Sequence, residues 1–372
     1  MAFQVSSVLK VVLFPVSVLY GLVAGIRNRL YDMQILRSQD CDVPVIVVGN
    51  ITAGGTGKTP HVEYLVDLLR PSCNVAVLSR GYKRKTRGFI KARTTTPWSE
   101  IGDEPFQIRQ KFRDIDVAVD EKRKRGIRLL VEENAEKRVI ILDDGFQHRS
   151  VKPGLSILLI DYNHPLSGDY YLPAGRLRES CYEFRRANII LFTKCPEKLK
   201  PIDERIRVKK LNPYPYQQVF FTKIQYNPPV SLFSDEEPPK DIKTFLKQFS
   251  SVLVVTGIAN PDTLVVYLQQ YVKKVNRMHF PDHYLFKPAD IEKICKNFAQ
   301  ISGDDKIVLT TEKDAVRLRS IRKESFQQPE KWYFVPVSIR FLQESEQQEF
   351  NKILLSYVEK DKGNHWLSSK QG

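Results

Sequence analysis

The chain has 372 residues, enough for roughly two domains, and its 42% hydrophobic content can fill ordinary cores. The five cysteines are odd in number and contain no CxxC pair, which argues for a reducing compartment and against a zinc site. The formal charge of +15 suits nucleic acid, an anionic membrane or a phosphorylated substrate, and a simply solvated basic face remains an alternative.

The N-terminal segment, residues 5–26, is strongly apolar and carries no charge from residue 11 to residue 26. This uncharged stretch is shorter than the roughly 20 residues that span a bilayer. The basic start and the cleavage site of a secretory signal are not clear. We predict a helix that lies in a membrane interface, with Arg27 and Arg29 meeting lipid headgroups. A core helix of the first domain and a true membrane span are the alternatives.

A glycine-rich loop follows the apolar, β-branched run at residues 45–48 and precedes an apolar pattern of helical period at residues 62–69. Strand, glycine loop and helix are the context of a phosphate-binding P-loop, whose backbone N–H groups surround phosphate oxygens. The usual first glycine is replaced by Thr52, and a chance Gly-Lys-Thr in a hairpin is the alternative. The predicted nucleotide-binding residues are Thr52, Ala53, Gly54, Gly55, Thr56, Gly57, Lys58 and Thr59. Lys58 supplies charge to the β- and γ-phosphates, and Thr59 supplies a hydroxyl for Mg²⁺.

The next buried strand, at residues 75–78, runs into a basic loop that contains Arg80 and Tyr82. A loop at the C-terminal end of such a strand lies on the ligand side of an α/β sheet. Arg80 and Tyr82 are therefore candidates to touch phosphate or substrate, and a solvated loop is the alternative.

Two further stretches combine a helix start with charge. Asp103 suits a helix N-cap, and its functional alternative is a base that accepts a substrate hydroxyl proton. After a short strand at residues 117–119, the basic run that contains Arg123 opens a helix, where positive charge opposes the helix dipole. An anionic partner would offset that charge, and a solvated face is equally compatible with the pattern.

The apolar strand at residues 138–144 ends in Asp143 and Asp144, which is the Walker B arrangement for holding Mg²⁺ directly or through water. Strands at residues 155–160 and 189–192 follow, and repeated strands with crossover helices imply a doubly wound parallel sheet. A guanine-specificity loop would need an aspartate two residues after Lys194, where Pro196 stands instead, so the sequence disfavours a GTPase.

Prolines between residues 214 and 239 interrupt the periodicity and predict a linker zone before a second α/β unit. This unit has strands at residues 252–255 and 307–309, and between them His283 follows a proline and an aspartate. A histidine beside a carboxylate can move a proton or orient a base, and a surface histidine is the alternative. Residues 332–337 resemble a strand that runs back to the first domain, and a last helix is predicted at residues 345–358.

Taken together, these pieces resemble the bacterial tetraacyldisaccharide 4′-kinase family, the lipid A 4′-kinases. The matching stretches occur in the family's order and cover most of the chain: VGNITAGGTGKTP, SRGYKR, GDEP, LDDGFQHR, LPAGRLRE, FPDHY and LTTEKDAVRL. The resemblance implies ATP-dependent phosphorylation of the 4′-hydroxyl of a tetraacylated glucosamine disaccharide 1-phosphate. It also implies a peripheral enzyme on the cytoplasmic face of the inner membrane, and we expect a monomer without a nucleic-acid partner.

The resemblance also assigns roles to individual residues. It implies that Asp103 is the general base, that His283 is its partner, and that Lys58 is catalytic. The candidates for the metal and its surroundings are Thr59, Asp143, Asp144 and Glu179. The candidates around phosphate or sugar are Arg80, Tyr82, Arg123, Gln147 and His148. Closure between the two domains would complete such a site and exclude water.

The predicted fold is α/β, a P-loop NTPase-like doubly wound parallel sheet with a second, smaller α/β domain. The predicted divisions are a membrane-interface helix at 1–35, a kinase domain at 36–222, a second domain with linker strands at 223–340, and a C-terminal helix and tail at 341–372. The alternative function is a P-loop GTPase or a metallochaperone-type NTPase, which would need a base-specificity aspartate or a Cys/His cluster.

Overall fold

The computed structural model describes residues 7–134, 138–234 and 237–368, so the ends of the predicted N-terminal segment and C-terminal tail lie outside the described residues. The helices are α1 (Ser7–Asp32), α2 (Lys58–Leu69), α3 (Trp98–Ile101), α4 (Asp103–Lys111), α5 (Arg123–Glu133), α6 (Pro201–Leu211), α7 (Ile242–Leu246), α8 (Asp262–Leu268), α9 (Pro288–Gln300), α10 (Glu312–Leu318) and α11 (Glu344–Ser368).

The strands follow in the same numbering: β1 (Val45–Gly49), β2 (Asn74–Ser79), β3 (Ile90–Lys91), β4 (Asp116–Val119), β5 (Arg138–Asp143), β6 (Leu155–Asp161), β7 (Ile189–Thr193), β8 (Gln218–Tyr226), β9 (Val230–Ser231), β10 (Ser251–Thr256), β11 (Lys274–His279), β12 (Lys306–Thr311), β13 (Trp332–Val335) and β14 (Val337–Phe341). The described residues divide into two compact units. The first unit contains residues 7–224 and 339–368, and the second contains residues 225–338.

The sheet of the first unit is centred on β1. Its strand order is β14-β8-β7-β6-β1-β5-β2-β4-β3. β1 pairs in parallel with β5 and β6, and the pairs β2–β5, β2–β4, β6–β7 and β7–β8 are also parallel. The short β3 pairs antiparallel with β4 at one edge. Because the carboxyl ends of β1, β5 and β2 meet at one edge, the loops that follow them are neighbours.

Both faces of this sheet are covered. Ile46 and Val48 of β1 belong to one core, which includes apolar residues of α2, α4 and α11. Val45 and Val47 belong to the core on the other face, with residues of α5. Successive side chains of a strand point to opposite faces, so a run of apolar residues is what a sheet with helices on both sides requires. The predicted doubly wound fold is confirmed.

The second unit has its own smaller sheet, with strand order β11-β10-β12-β13-β9. β10 pairs in parallel with β11 and β12, β12 with β13, and β9 pairs antiparallel with β13. Leu253 and Val255 enter one core of this unit, and Val252 and Val254 enter the other. The chain after β13 returns to the first sheet as β14, so the predicted strand at 332–337 is two strands.

Helix α1 lies against the first unit and exposes most of its apolar side chains. The 24 residues Leu9–Asp32 are long and apolar enough to cross a membrane by length and composition, and an 18-residue window within them has a mean hydropathy of 2.0. Val11 is 74% exposed and Leu19 is 62% exposed. The opposite side packs on the chain near residue 171, where Tyr20 and Tyr171 form a ring contact. This exposure excludes the alternative of a core helix.

Candidate active site

The P-loop, residues 52–59, connects β1 to α2 as the sequence predicts. Gly57 is the N-cap residue of α2 and has a φ of 84°, a left-handed conformation that favours glycine. Apart from chain neighbours, no described atom would lie within 4 Å of a Cβ built on Gly54 or Gly55. The loop therefore leaves open space beside its backbone at the N-terminal end of a helix, which is where an anion binds best.

Lys58 is the first residue of α2 and its side chain reaches the end of β5. Its Nζ lies 3.2 Å from Asn50 Oδ1 and 3.4 Å from Asp144 Oδ1. Arg178 NH1 lies 3.1 Å from Asp144 Oδ2. Burial opposes the charge of Asp144, but Lys58 and Arg178 outweigh burial and hold its pKa below the ordinary value. Lys58 of the P-loop and Asp144, the second of the two aspartates of the predicted Walker B pair, are thus in direct contact.

Asp143 is buried with part of its carboxylate unsatisfied. Ser79 Oγ donates to Oδ2 at 3.3 Å, whereas Oδ1 has no hydrogen-bond partner among the described residues. Burial, followed by the charge of Asp144, raises the pKa of Asp143 to about 6. A buried carboxylate beside a second one, with an oxygen that lacks a donor, is an arrangement that a divalent cation would stabilise. The residues present therefore fit Mg²⁺.

Asp103 lies beside the loop that follows β2. It is 6% exposed and is the first residue of α4, whose N-cap is Gly102, so the predicted N-cap is displaced by one residue. A Cβ on Gly102 would lie 3.0 Å from the carbonyl oxygen of Tyr82, which shows how closely the two loops approach. The charge of Glu104 raises the pKa of Asp143. The first turn of α4 therefore carries a carboxylate whose charge acts on Asp143 at the end of β5.

Other residues predicted to contact substrate lie in the loops that follow β2 and β5. Tyr82 is 59% exposed, and Arg80 is also exposed. Gln147 Nε2 donates to the carbonyl oxygen of Asn50 at 2.6 Å, which ties the loop after β5 to the end of β1. Burial, with the charges of Arg123 and Arg80, lowers the pKa of His148 to about 4. His148 is thus neutral at physiological pH and sits in a positive field.

Arg123, predicted as a candidate around phosphate or sugar, is a buried side chain in the structure. It is 1% exposed, and its guanidinium donates to the backbone carbonyl oxygens of Asp120 and Asp143, the latter at 3.3 Å. Burial lowers the pKa of Arg123 to about 10. The side chain thus links the ends of β4 and β5, and its contact with phosphate or sugar stays a prediction.

Glu179, predicted as a candidate for the metal and its surroundings, is buried and paired with other side chains. Its Oε1 accepts from Asn28 of α1 at 3.2 Å, and its Oε2 accepts from Arg186 at 2.5 Å. Arg27 of α1 lies 3.9 Å from Oε1. One carboxylate oxygen is therefore used in a link to α1 and the other in an ion pair with Arg186, and the role of Glu179 around the metal stays a prediction.

His283 belongs to the second unit and has a φ of 59°. Its Nδ1 lies 3.2 Å from Arg317 NH2, and its Nε2 lies 3.1 Å from Lys313 Nζ. Arg317 is paired with the buried Asp314, which also accepts from the backbone N–H of Gly257. Since Lys313, Asp314 and Arg317 lie in the stretch LTTEKDAVRL, this stretch positions the ring of His283.

Sequence reasoning missed several residues that the structure brings to the site. Asn50 contacts Lys58, Arg178 contacts Asp144, and His61 contacts the P-loop carbonyl of Gly57 at 2.7 Å. Burial lowers the pKa of His61 to about 4, so its ring is neutral. Asn50 and Arg178 lie inside stretches that the family resemblance quotes, and this was the one signal that could have singled them out.

Comparison with known proteins places this chain among well-defined relatives. Residues 9–359 match the family model described as tetraacyldisaccharide-1-P 4′-kinase. A tetraacyldisaccharide 4′-kinase from Bacteroides thetaiotaomicron is 43% identical over 365 residues, which are 96% of each chain. One from Phocaeicola vulgatus is 44% identical over 354 residues, covering 95% of this chain and 96% of the relative.

The fold is also similar to a solved structure. A crystal structure of the "apo" form of LpxK from Aquifex aeolicus in complex with ATP has a TM-score of 0.69 and is 28% identical in sequence. The similarity covers 94% of this chain and 99% of that one.

Proposed function

This chain belongs to the tetraacyldisaccharide-1-P 4′-kinase family, and on that premise we propose how its residues carry out the reaction. It is an ATP-dependent kinase of lipid A biosynthesis that phosphorylates the 4′-hydroxyl of a tetraacylated disaccharide 1-phosphate. The observation that carries our residue assignment is the contact of Lys58 with Asp144 at 3.4 Å, which joins the P-loop to the carboxylates at the end of β5.

The P-loop binds the triphosphate of ATP. The open space beside Gly54 and Gly55 admits phosphate close to the backbone, and the N-terminus of α2 adds positive potential. The ammonium group of Lys58 moves from Asp144 to the β- and γ-phosphates when ATP binds. Before that, Asn50 positions the side chain of Lys58, and Arg178 positions that of Asp144. Phosphoryl transfer depends on this positioning and charge neutralisation more than on covalent chemistry.

Asp103 acts as the general base. The 4′-oxygen attacks the γ-phosphorus and forms the new O–P bond as the bond to the bridging oxygen of ADP breaks, and the hydroxyl proton passes to Asp103. Its burial in the first turn of α4, beside the loop of Arg80 and Tyr82, supports this role. His283 is the proton-handling partner, and Arg317 holds its ring.

Mg²⁺ fits the carboxylates at the end of β5. The unsatisfied Oδ1 of Asp143 and the hydroxyl of Thr59 would hold the ion, with Asp144 beside them. When bound, the ion neutralises charge that builds up on the phosphate oxygens. We place the basic and polar groups of Arg80, Tyr82, Gln147 and His148 around phosphate or sugar, and Arg123 beneath them.

The enzyme works as a peripheral monomer on the cytoplasmic face of the inner membrane. The exposed apolar side of α1 supports this placement, since an acylated substrate enters from lipid and the exposed side chains gain by leaving water. The link through Glu179 keeps α1 attached to the first unit while its opposite side contacts lipid.

Transfer of phosphate from radiolabelled ATP to a tetraacyldisaccharide 1-phosphate tests the assignment. Asp103→Ala should lose turnover by at least about a hundredfold, which is the usual worth of a general base, and should keep nucleotide affinity. Asp103→Asn is the isosteric companion and should fail equally. Undiminished turnover in either variant would remove Asp103 from the reaction.

A further inference from the structure

We propose that His61 is a positioning residue for the nucleotide phosphates, because its ring orients the peptide groups of the P-loop. The inference rests on the proposed role of the P-loop in holding the triphosphate, and it concerns a residue that touches neither substrate nor metal. His61 lies in the first turn of α2, two residues after Thr59, and is 2% exposed.

The two ring nitrogens of His61 have different partners. Nδ1 lies 2.7 Å from the carbonyl oxygen of Gly57, and Nε2 lies 3.0 Å from the hydroxyl of Thr222 on β8. A carbonyl only accepts, so Nδ1 carries the proton. Nε2 of the neutral ring then accepts from the Thr222 hydroxyl, whose other acceptor within reach, the carbonyl oxygen of Phe192, is farther away at 3.3 Å. This tautomer is inferred from its partners, and it makes Thr222 the group that orients His61.

A second side chain holds the adjacent peptide group. The Thr193 hydroxyl, at the end of β7, donates to the carbonyl oxygen of Thr56 at 2.9 Å. Thr193 and Thr222 are both 0% exposed, so water does not compete for these bonds. Two successive carbonyl groups of the P-loop are therefore drawn toward β7, β8 and α2.

The consequence follows from peptide geometry. In a planar trans peptide, C=O and N–H point in opposite directions. Holding the carbonyl groups of Thr56 and Gly57 inward aims the N–H groups of Gly57 and Lys58 outward, to the side on which a P-loop binds phosphate oxygens. His61 and Thr193 thus preorganise two N–H donors before nucleotide arrives, which lowers the cost of binding.

A pair of amide substitutions separates the two bonds of His61. The side-chain amide of His61→Asn can reach the position of Nδ1 and keep the bond to Gly57, whereas that of His61→Gln reaches the position of Nε2 and keeps only the bond to Thr222. We expect the Kd for ATP to rise about tenfold in His61→Gln, equivalent to about 1.4 kcal/mol, and less than about threefold in His61→Asn. The matched control is Tyr64→Phe, which removes the 2.8 Å bond from the same helix to Asn351.

Nucleotide titration, KM and kcat for ATP, and thermal unfolding should be measured on the same preparations. A purely structural role predicts that all three variants lower the melting temperature and leave the Kd for ATP unchanged, which would overturn the proposal. Equal Kd values for His61→Asn and His61→Gln would also overturn it. If His61→Gln does not fold, Thr193→Val decides, because it removes the bond to Thr56 together with a longer contact to the carbonyl oxygen of Ile160 at 3.4 Å. Weaker ATP binding supports the proposal and unchanged binding overturns it.

Nitrogen-15 NMR of the six labelled histidines reports the protonation of each ring nitrogen, which a purely structural role of His61 would leave unaffected by nucleotide. The His61 signal, identified by its loss in His61→Asn, should show a protonated Nδ1 and should shift when ADP is added. An Nε2-protonated ring would overturn the assignment. Lys58→Ala separates a failure of the P-loop assignment from a failure of the inference about His61. If ATP still binds to Lys58→Ala, the proposed role of the loop is wrong. If Lys58→Ala loses ATP binding while His61→Gln binds ATP fully, only the inference about His61 is wrong.

Discussion

The link between Glu179 and α1 leads to a prediction that distinguishes a structural role of Glu179 from a role as a metal ligand. Glu179 is 2% exposed, and Glu179→Gln leaves the Arg186 guanidinium, 18% exposed, with the Glu183 carboxylate at 2.6 Å and the Phe146 carbonyl oxygen at 2.9 Å. Removing one partner of a buried ion pair costs about 3–5 kcal/mol, and the remaining carboxylate reduces this to about 2 kcal/mol. For a unit of this size, that corresponds to a melting temperature lower by about 5 °C.

Calorimetry and limited proteolysis test this value. Because the bond to Asn28 also weakens, trypsin should cleave after Arg27 and Arg29 several-fold faster in Glu179→Gln. The control is Glu183→Gln, which removes the other carboxylate from Arg186 and leaves the Asn28 bond intact, so it should unfold earlier without faster cleavage. A metal role predicts the opposite: an unchanged melting temperature with a raised Mg²⁺ requirement would refute our reasoning.

Three further predictions address other parts of the molecule. Lys58→Ala should abolish detectable ATP binding in a fluorescence titration, and retained affinity would contradict the P-loop assignment. Asp143→Asn, studied in EDTA, should be more stable than wild type by about 3 kcal/mol above pH 6. The reason is that folding raises the pKa of Asp143 from 3.8 to about 6, so the ionised carboxylate destabilises the fold. The difference in unfolding free energy between the two proteins should disappear as the pH falls to 4. Leu19→Glu should reduce cosedimentation with anionic vesicles severalfold and leave ATP affinity unchanged, whereas equal cosedimentation would argue against membrane contact by α1.

Local patterns in the chain were sufficient to predict the elements that carry the nucleotide site. The run at 45–48, the glycine loop and the apolar period at 62–69 became β1, the P-loop and α2, and Asp143 stands at the end of β5. These features depend on backbone propensity and on hydrophobic period within about ten neighbouring residues, so no distant partner was needed to recognise them.

Contacts between distant residues decided what the local patterns could not. The sequence does not show what Glu179 contacts, and in the structure Asn28, 151 positions away, donates to one of its carboxylate oxygens. His61 reads as one polar residue on an apolar helix, and only the approach of Thr222, 161 positions away, fixes its tautomer. The sequence by itself determined which segments form the loop and the strand ends of the proposed phosphate site, because these depend on short-range geometry. The tertiary structure determined which polar groups are already paired, because burial and hydrogen bonding are properties of neighbours that folding brings together.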